Sequence, residues 1–419
     1  MKKHILRYAA LLLAVLLLIS CAASMPDEYK IDDSEEEMID YGIIDDSLYT
    51  PNESMVYSMR LTEFVNLPGM VLLNDQEAHY GGIHLSYVNK ANVTEYYFCF
   101  DPLCNHHYCM GGYGGDFKWV ENWVWSVADD NVYATAEPPE DVDSTAKSDG
   151  NLYCIDLDTQ EYEMVYEGNG TPISQIYANE DYIFLSRQHK DGYHEIIRYD
   201  PIKKKAEKMT PLAGKQFASL MVSGDTILVI FNDNYRTIYQ TNNNFSHFVA
   251  TSLPLQPIYI DQNMMYIAEN VNGVSAGWDG SARSICRINI DTEEKETIIT
   301  YAGDEFSVCV VGYGGGYVYY LLNPIQAGTT TVVSAFGRIL YRVPIEGGEP
   351  EPMVNFGKEH TGLKYDMNVD QVVVYDGTIY CHLKASNSGY FVDRYGTLTQ
   401  DQDGVWTFQK LPVGDEEVR

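Results

Sequence analysis

The chain is poor in positive charge. Its 419 residues hold 28 Lys and Arg against 60 Asp and Glu, a net charge of −32. A surface this anionic repels nucleic acid and anionic lipid headgroups at long range, so no nucleic-acid partner is expected. It favours solubility and attracts cations or basic partners. Helical periodicity is also missing: beyond residue 50 no amphipathic helical stretch stands out, which excludes a helical core. The apolar run over residues 9–19 is about eleven residues long, too short for a helix that must cross roughly 30 Å of hydrocarbon.

What is present begins with that short run. Lys2, Lys3 and Arg7 precede it, and a basic start before a short apolar run reads as a secretion signal. The run ends in Leu18-Ile19-Ser20-Cys21, which resembles the lipobox cut by the lipoprotein signal peptidase. The resemblance implies a signal peptide over residues 1–20, lipid attachment at Cys21 (a diacylglycerol on the thiol, acylation of the freed amine) and an extracytoplasmic chain anchored to the cell membrane. Two or three acyl chains anchor stably, at about 0.8 kcal/mol per buried CH₂. The alternative is an ordinary signal peptide with a chance cysteine. Residues 21–50 follow as a tether. Residues 26–46 are acidic and poor in apolar side chains, with Asp32-Asp33-Ser34-Glu35-Glu36-Glu37 the densest run. Such a segment cannot bury enough surface to offset its ordering entropy.

Residues 51–419 are expected to form one all-β domain. Tyr outnumbers Phe 34 to 14, and aromatic and β-branched side chains fit a pleated, half-buried surface. A turn before a short aromatic or β-branched strand recurs: Pro68-Gly69, Asp130-Asn131, Glu180-Asp181, Gly224-Asp225, Gln262-Asn263, Gly315-Gly316 and Asp376-Gly377. Asn, Asp and Gly tolerate the positive φ that tight hairpins need. Most copies are followed by a second unit, an apolar strand ending near Asp or Pro, as in Leu152-Tyr153-Cys154-Ile155-Asp156, Ile197-Arg198-Tyr199-Asp200, Ile288-Asn289-Ile290-Asp291 and Leu340-Tyr341-Arg342-Val343-Pro344. Repeats of roughly 40 to 60 residues, each of four short antiparallel strands, predict a β-propeller of seven blades, with six or eight as the alternatives. The rival is two stacked sandwiches, which leaves seven similar units unexplained. Residues 55–61 are the expected closing strand, paired with residues 390–395 or 406–411.

These repeats resemble the TolB-like and YWTD-type propellers. They resemble more closely the propeller lipoproteins of unknown function found in anaerobic Gram-positive bacteria. Those carry a Cys-x-His element in the first blade region, here within Asp101-Pro102-Leu103-Cys104-Asn105-His106-His107.

Eight cysteines leave seven once Cys21 is set aside, and an odd number cannot all pair within one chain. Cys154, Cys286, Cys309 and Cys381 sit singly in strand-like runs, as small buried hydrophobes do. Cys99, Cys104 and Cys109 cluster with His106 and His107. Three thiolates and an imidazole suit a structural zinc ion; a disulfide such as Cys104–Cys109 or Cys99–Cys109, or unpaired thiols, are the alternatives. The resemblance selects His106 over His107, so Cys99, Cys104, His106 and Cys109 form the candidate metal set.

Other motifs carry less. Gly273-Val274-Ser275-Ala276-Gly277 matches a nucleophile-elbow string but sits in a polar loop between strands. Asp401-Gln402-Asp403-Gly404 lacks the further ligands of a calcium loop and reads as a hairpin turn. The glycines of 312–316 lack a following Lys-Ser/Thr and read as a blade turn. Trp119, Trp123 and Trp125 read as core or inter-blade packing, or as a stacking surface for a sugar. The expected function is a lipid-anchored binding module that recognises a peptide, glycan or envelope protein through the propeller face. The alternative is an extracytoplasmic propeller enzyme such as a polysaccharide lyase or glycosidase.

Overall fold

Runs of Val, Ile and Tyr bounded by Asp, Asn and Gly fold into strands, because branched and aromatic side chains pack well on a pleated surface. A computed structural model describes residues 64–67, 70–73, 86–97, 126–128, 131–135, 150–155, 162–189, 193–231, 237–254, 259–270, 272–273, 282–301, 306–324, 338–357, 367–387 and 390–412. Among them are 28 strands and no helix. Residues 55–61, the expected closing strand, lie outside this set.

The strands form seven consecutive four-stranded antiparallel meanders. The first holds β1 (Phe64–Leu67), β2 (Met70–Leu73), β3 (Ser86–Asn89) and β4 (Thr94–Tyr97). The second holds β5 (Ser126–Ala128), β6 (Asn131–Ala134), β7 (Leu152–Ile155) and β8 (Tyr162–Tyr166). The third holds β9 (Ile173–Ala178), β10 (Ile183–Gln188), β11 (His194–Asp200) and β12 (Lys205–Lys208). The fourth holds β13 (Phe217–Ser223), β14 (Thr226–Phe231), β15 (Ile238–Thr241) and β16 (Phe248–Ala250). The fifth holds β17 (Tyr259–Asp261), β18 (Met264–Glu269), β19 (Ser284–Asn289) and β20 (Lys295–Thr300). The sixth holds β21 (Phe306–Gly314), β22 (Tyr317–Pro324), β23 (Ile339–Pro344) and β24 (Glu351–Asn355). The seventh holds β25 (Asn368–Tyr375), β26 (Thr378–Asn387), β27 (Tyr390–Gln400) and β28 (Trp406–Lys410). Of the turn dipeptides picked out in the sequence, Glu180-Asp181, Gly224-Asp225, Gln262-Asn263, Gly315-Gly316 and Asp376-Gly377 fall between the first two strands of a meander, and Asn131 opens β6. Both Gly315-Gly316 (φ +58° and +79°) and Asp376-Gly377 (φ +50° and +78°) hold the two positive φ values of a type I′ hairpin.

Burial falls from the second strand of a meander to the fourth. All six residues of β14, Thr-Ile-Leu-Val-Ile-Phe, are buried, as a continuous apolar run covered on both faces should be. The outer β12, Lys-Ala-Glu-Lys, is exposed at both ends. Charged outer strands keep the sheet edges from pairing with other chains.

Neighbouring meanders share apolar cores. Tyr133 and Leu152 pack with Ile183 and Leu185 between the second and third. Phe184 and Ile196 pack with Leu220 and Val229 between the third and fourth. Met221 and Leu228 meet Ile260 and Met265 between the fourth and fifth. Ile285 meets Val308 and Tyr320 between the fifth and sixth, and Leu321 meets Val372 and Cys381 between the sixth and seventh. Val71, Leu73 and Val88 of the first meander then join Val373, Tyr380 and Tyr395 of the seventh, and β1 also touches β5. The last meander thus returns to the first. Each fully buried large side chain stabilises this arrangement by about 1.5–3 kcal/mol.

Polar contacts fix which ends of the meanders lie together. Asn179, in the β9–β10 turn, donates to Asn243 in the β15–β16 turn at 2.9 Å. The Gln262 N–H, in the β17–β18 turn, donates to the Ser223 hydroxyl at the end of β13 at 2.7 Å. Arg287 meets Glu346 in the β23–β24 turn, and Lys90 in the β3–β4 turn meets Asp376 in the β25–β26 turn at 2.5 Å. The short turns therefore share one face, the turn face. A repeated clasp ties it: Arg198↔Glu207, Arg287↔Glu296 and Arg342↔Glu351 are the same cross-strand pair in three meanders, each bonded through the guanidinium.

Candidate functional site

A cleft with a free volume of about 70 Å³ opens on the turn face between the fifth and sixth meanders. Tyr259 and Asp261 share one side of β17, because strand side chains alternate. Tyr266 of β18 lies directly opposite Tyr259 in the ladder. From the sixth meander come Tyr313 and Gly314 at the end of β21, the Gly315-Gly316 turn, and Ile345 beyond β23. The Ile345 N–H donates to the Gly316 carbonyl at 3.0 Å and pins that rim. Val374 of β25 closes the far side. Backbone approach is tightest here. A Cβ on Gly312 would sit 1.9 Å from the Val372 carbonyl oxygen, and one on Gly314 would sit 2.8 Å from the Val374 Cβ. Glycine lets β21 lie alongside β25, its parallel neighbour at Gly312↔Val372 and Tyr313↔Val373.

Three rings wall the cleft. Tyr259 stacks on Tyr313 with centroids 4.4 Å apart and planes 10° apart. Tyr266 lies 5.0 Å from Tyr313 and 5.6 Å from Tyr259. Tyr313 is 4% exposed, and its hydroxyl has no hydrogen-bond partner among the described residues. Leaving such a group unsatisfied costs about 1–3 kcal/mol. Burial alone holds the Asp261 carboxyl above its ordinary range; no charge or hydrogen bond among the described residues offsets it. Burial, with Asp261 next in importance, pushes the Tyr266 hydroxyl to about 12. Arg287 lies opposite Tyr266 in the ladder, but its guanidinium is bonded to Glu296 and Glu346. The cleft therefore presents one carboxylate and aromatic faces, with no Lys or Arg among the described residues of its lining.

The metal set Cys99, Cys104, His106 and Cys109, the lipid site Cys21 and the tryptophans at 119, 123 and 125 lie outside the described residues. Among the described residues no group of three His, Cys, Asp or Glu side chains could hold a metal ion. Cys154, Cys286, Cys309 and Cys381 stand in β7, β19, β21 and β26, and Cys286 and Cys381 are buried. Of the elbow string, Gly273 closes a turn on Asn270, and residues 274–277 lie outside the described set. Asp401 is a turn residue: its carboxylate accepts from the Asp403 N–H at 2.9 Å and the Val405 N–H at 2.8 Å. Ser186 and His194 sit 2.6 Å apart across a hairpin, but Ser186 is 0% exposed, which closes it to any substrate.

An all-β chain of four-stranded meanders, packed face to face with short turns on one face, is a β-propeller. No protein-family model matches the sequence, and no curated protein matches it. Among solved structures the chain is similar to a prolyl endopeptidase, with a TM-score of 0.53 at 11% identity over 86% of this chain and 50% of that one. It is similar to an acylaminoacyl peptidase, with a TM-score of 0.49 at 12% identity over 85% of this chain and 52% of that one. It is also similar to the propeller domain of a trilobed protease from Pyrococcus furiosus, with a TM-score of 0.44 at 9% identity over 73% of this chain and 98% of that one. The chain spans about half the length of the two peptidases it matches. At these identities the likeness concerns the fold.

Sequence reasoning missed the cleft. Its acid is one of 60 acidic residues, and its rings come from β17, β18 and β21, which only packing brings together. The Tyr259-x-Asp261 alternation beside the Tyr266 strand was the available signal. The clasp left a clearer one, Arg and Glu nine residues apart at 198/207, 287/296 and 342/351.

Proposed function

We propose that the chain is a lipid-anchored, extracytoplasmic binding module, a seven-bladed propeller that captures an envelope ligand on its turn face. In this reading residues 1–20 are the signal, Cys21 carries the lipid, residues 21–50 form the acidic tether and residues 51–419 form the propeller, of the TolB-like and YWTD-like kind. The lipobox and basic N-terminus support the anchor. The observation that carries the binding role is the cleft beside Asp261: a partly buried carboxylate among three tyrosine rings, two of them stacked, with an unsatisfied tyrosine hydroxyl buried behind them. A folded chain bears the cost of unsatisfied groups where they meet a ligand or solvent.

The test is binding of the purified full chain to arrays of peptides and envelope glycans, compared with Ile345→Trp, which fills the cleft mouth. Loss of the bound ligands in the variant is the expected result. Binding unaffected by Ile345→Trp, or no binding by the wild type, overturns the role given to the cleft.

A further inference from the structure

We infer that the cleft takes the cationic tip of a basic peptide side chain, with arginine favoured over lysine. The inference rests on the binding reading above and names its ligand class. Size decides first. A pocket for a whole small molecule occupies roughly 300–1,000 Å³, whereas this cleft offers about 70 Å³. It seats a side-chain tip that belongs to something larger.

Chemistry decides the sign. The polar side chain on offer is the Asp261 carboxylate, an acceptor. A guanidinium or ammonium brings donors only. An anionic tip would meet the Asp261 charge with no Lys or Arg among the described lining residues to offset it. A neutral apolar tip would cover the carboxylate without giving it a donor. The walls suit the same ligand: tyrosine faces attract cations within about 6 Å, and the flat, weakly hydrated guanidinium stacks on such faces better than an ammonium does. The surrounding field agrees, since a chain of net charge −32 draws basic partners in and repels acidic ones. Among the described residues no protein cation competes, because Arg287 is committed to two glutamates.

The experiment is calorimetric titration of the full chain at low ionic strength. The probes are Nα-acetyl-arginine amide, Nα-acetyl-lysine amide, glucosamine and Nα-acetyl-glutamate amide. The arginine derivative is expected to bind more tightly than the lysine derivative, and the glutamate derivative not at all. Asp261→Asn should weaken the arginine derivative at least tenfold. Tyr313→Phe, which removes a hydroxyl closed to solvent and keeps the ring, should leave that affinity unchanged. Thermal unfolding of both variants, matching or exceeding that of the wild type, shows that the fold is kept. Failure of both amino-acid cations to bind, or equal affinity in Asp261→Asn, overturns the inference. Binding of glucosamine in preference to both amino-acid cations moves the ligand to a cationic glycan and overturns the peptide assignment. Array ligands lost in Ile345→Trp but kept in Asp261→Asn overturn the cationic reading alone and leave the binding role standing.

Discussion

Arg287 on β19 holds Glu346, in the β23–β24 turn of the next meander, at 2.6 Å. The same guanidinium holds Glu296, its cross-strand partner, also at 2.6 Å. One side chain thus ties its own outer strand to the neighbouring meander. The third meander repeats the device: Arg198 pairs with Glu207 and donates to the Asn243 carbonyl at 2.8 Å. In the sixth, Arg342 pairs with Glu351 and lies 4.6 Å from the Trp406 ring of the seventh. The two ends of the Arg287 contact differ. Its side chain is 17% exposed and that of Glu346 is 71% exposed. Arg287→Met is expected to cost about 1–3 kcal/mol, because it strips charge-assisted hydrogen bonds from a covered position. Glu346→Gln is expected to shift the unfolding midpoint little, and less still in high salt, where exposed pairs are screened. Urea unfolding at low and high salt checks both. Equal losses for the two variants would show that the exposed end carries the contact.

Gly312 gives a second prediction. Its missing Cβ lets β21 approach β25 beside the cleft, where an added carbon would lie 1.9 Å from the Val372 oxygen. That oxygen is backbone and cannot rotate away, so the strands must separate. Gly312→Ala should cost about 1–3 kcal/mol or more as overpacking. Val405→Ala, at a position 55% exposed, should change stability little. Denaturation in urea measures both; a stable Gly312→Ala would mean that the two strands have slack.

Much of the architecture was legible because it rests on local chemistry. Turn pairs such as Asp376-Gly377 announce positive φ, and the interval between such pairs reports the repeat. The expected strand units at 152–156, 197–200, 288–291 and 340–344 fall on or overlap β7, β11, β19 and β23. The hairpin reading of Asp401-Gln402-Asp403-Gly404 holds for a local reason too, since Asp401 accepts from its own turn's N–H groups. The cleft was not legible. Tyr266 and Tyr313 become neighbours only when the fifth and sixth meanders pack into one core. Nothing in their spacing carries that contact. Asp261 differs from other acids only in what surrounds it, a property of the packed state.

The anchor and the cysteine cluster yield a third prediction, read from sequence. Cys21→Ser should leave the chain without lipid, released or unprocessed, and an unchanged palmitate label in the membrane fraction would sink the lipobox reading. If Cys99, Cys104, His106 and Cys109 hold zinc, metal analysis of the purified protein should return about one zinc per chain with the three thiols protected from alkylation. A disulfide instead returns no zinc and a thiol count that rises by two on reduction.

Asp261 should make stability depend on pH in an uncommon direction. Its native carboxyl is held above the usual range by burial, so the folded chain binds its proton at a pH where the unfolded chain, with a value near about 3.9, has released it. Between those two values the native state holds more protons. Stability contributed by this residue therefore falls as pH rises through that window and stays lost at neutral pH. Nearby groups do not mask the effect: Tyr266 is pushed to about 12, Arg287 is raised further by Glu346, and Glu346, lowered by Arg287, is present in both proteins and cancels in their difference. Asp261→Asn should then be more stable than the wild type at pH 7, with the advantage shrinking towards pH 4. Cation binding should run the other way and strengthen as the carboxyl ionises with rising pH. Urea unfolding of both proteins at pH 4, 5.5 and 7, beside titration with Nα-acetyl-arginine amide at the two higher values, tests the pair of trends. A stability difference constant across pH would mean that Asp261 is no more shielded from water than an ordinary surface acid. Opposite slopes for stability and binding would show that the chain keeps a destabilising charge in the cleft because its ligand needs it.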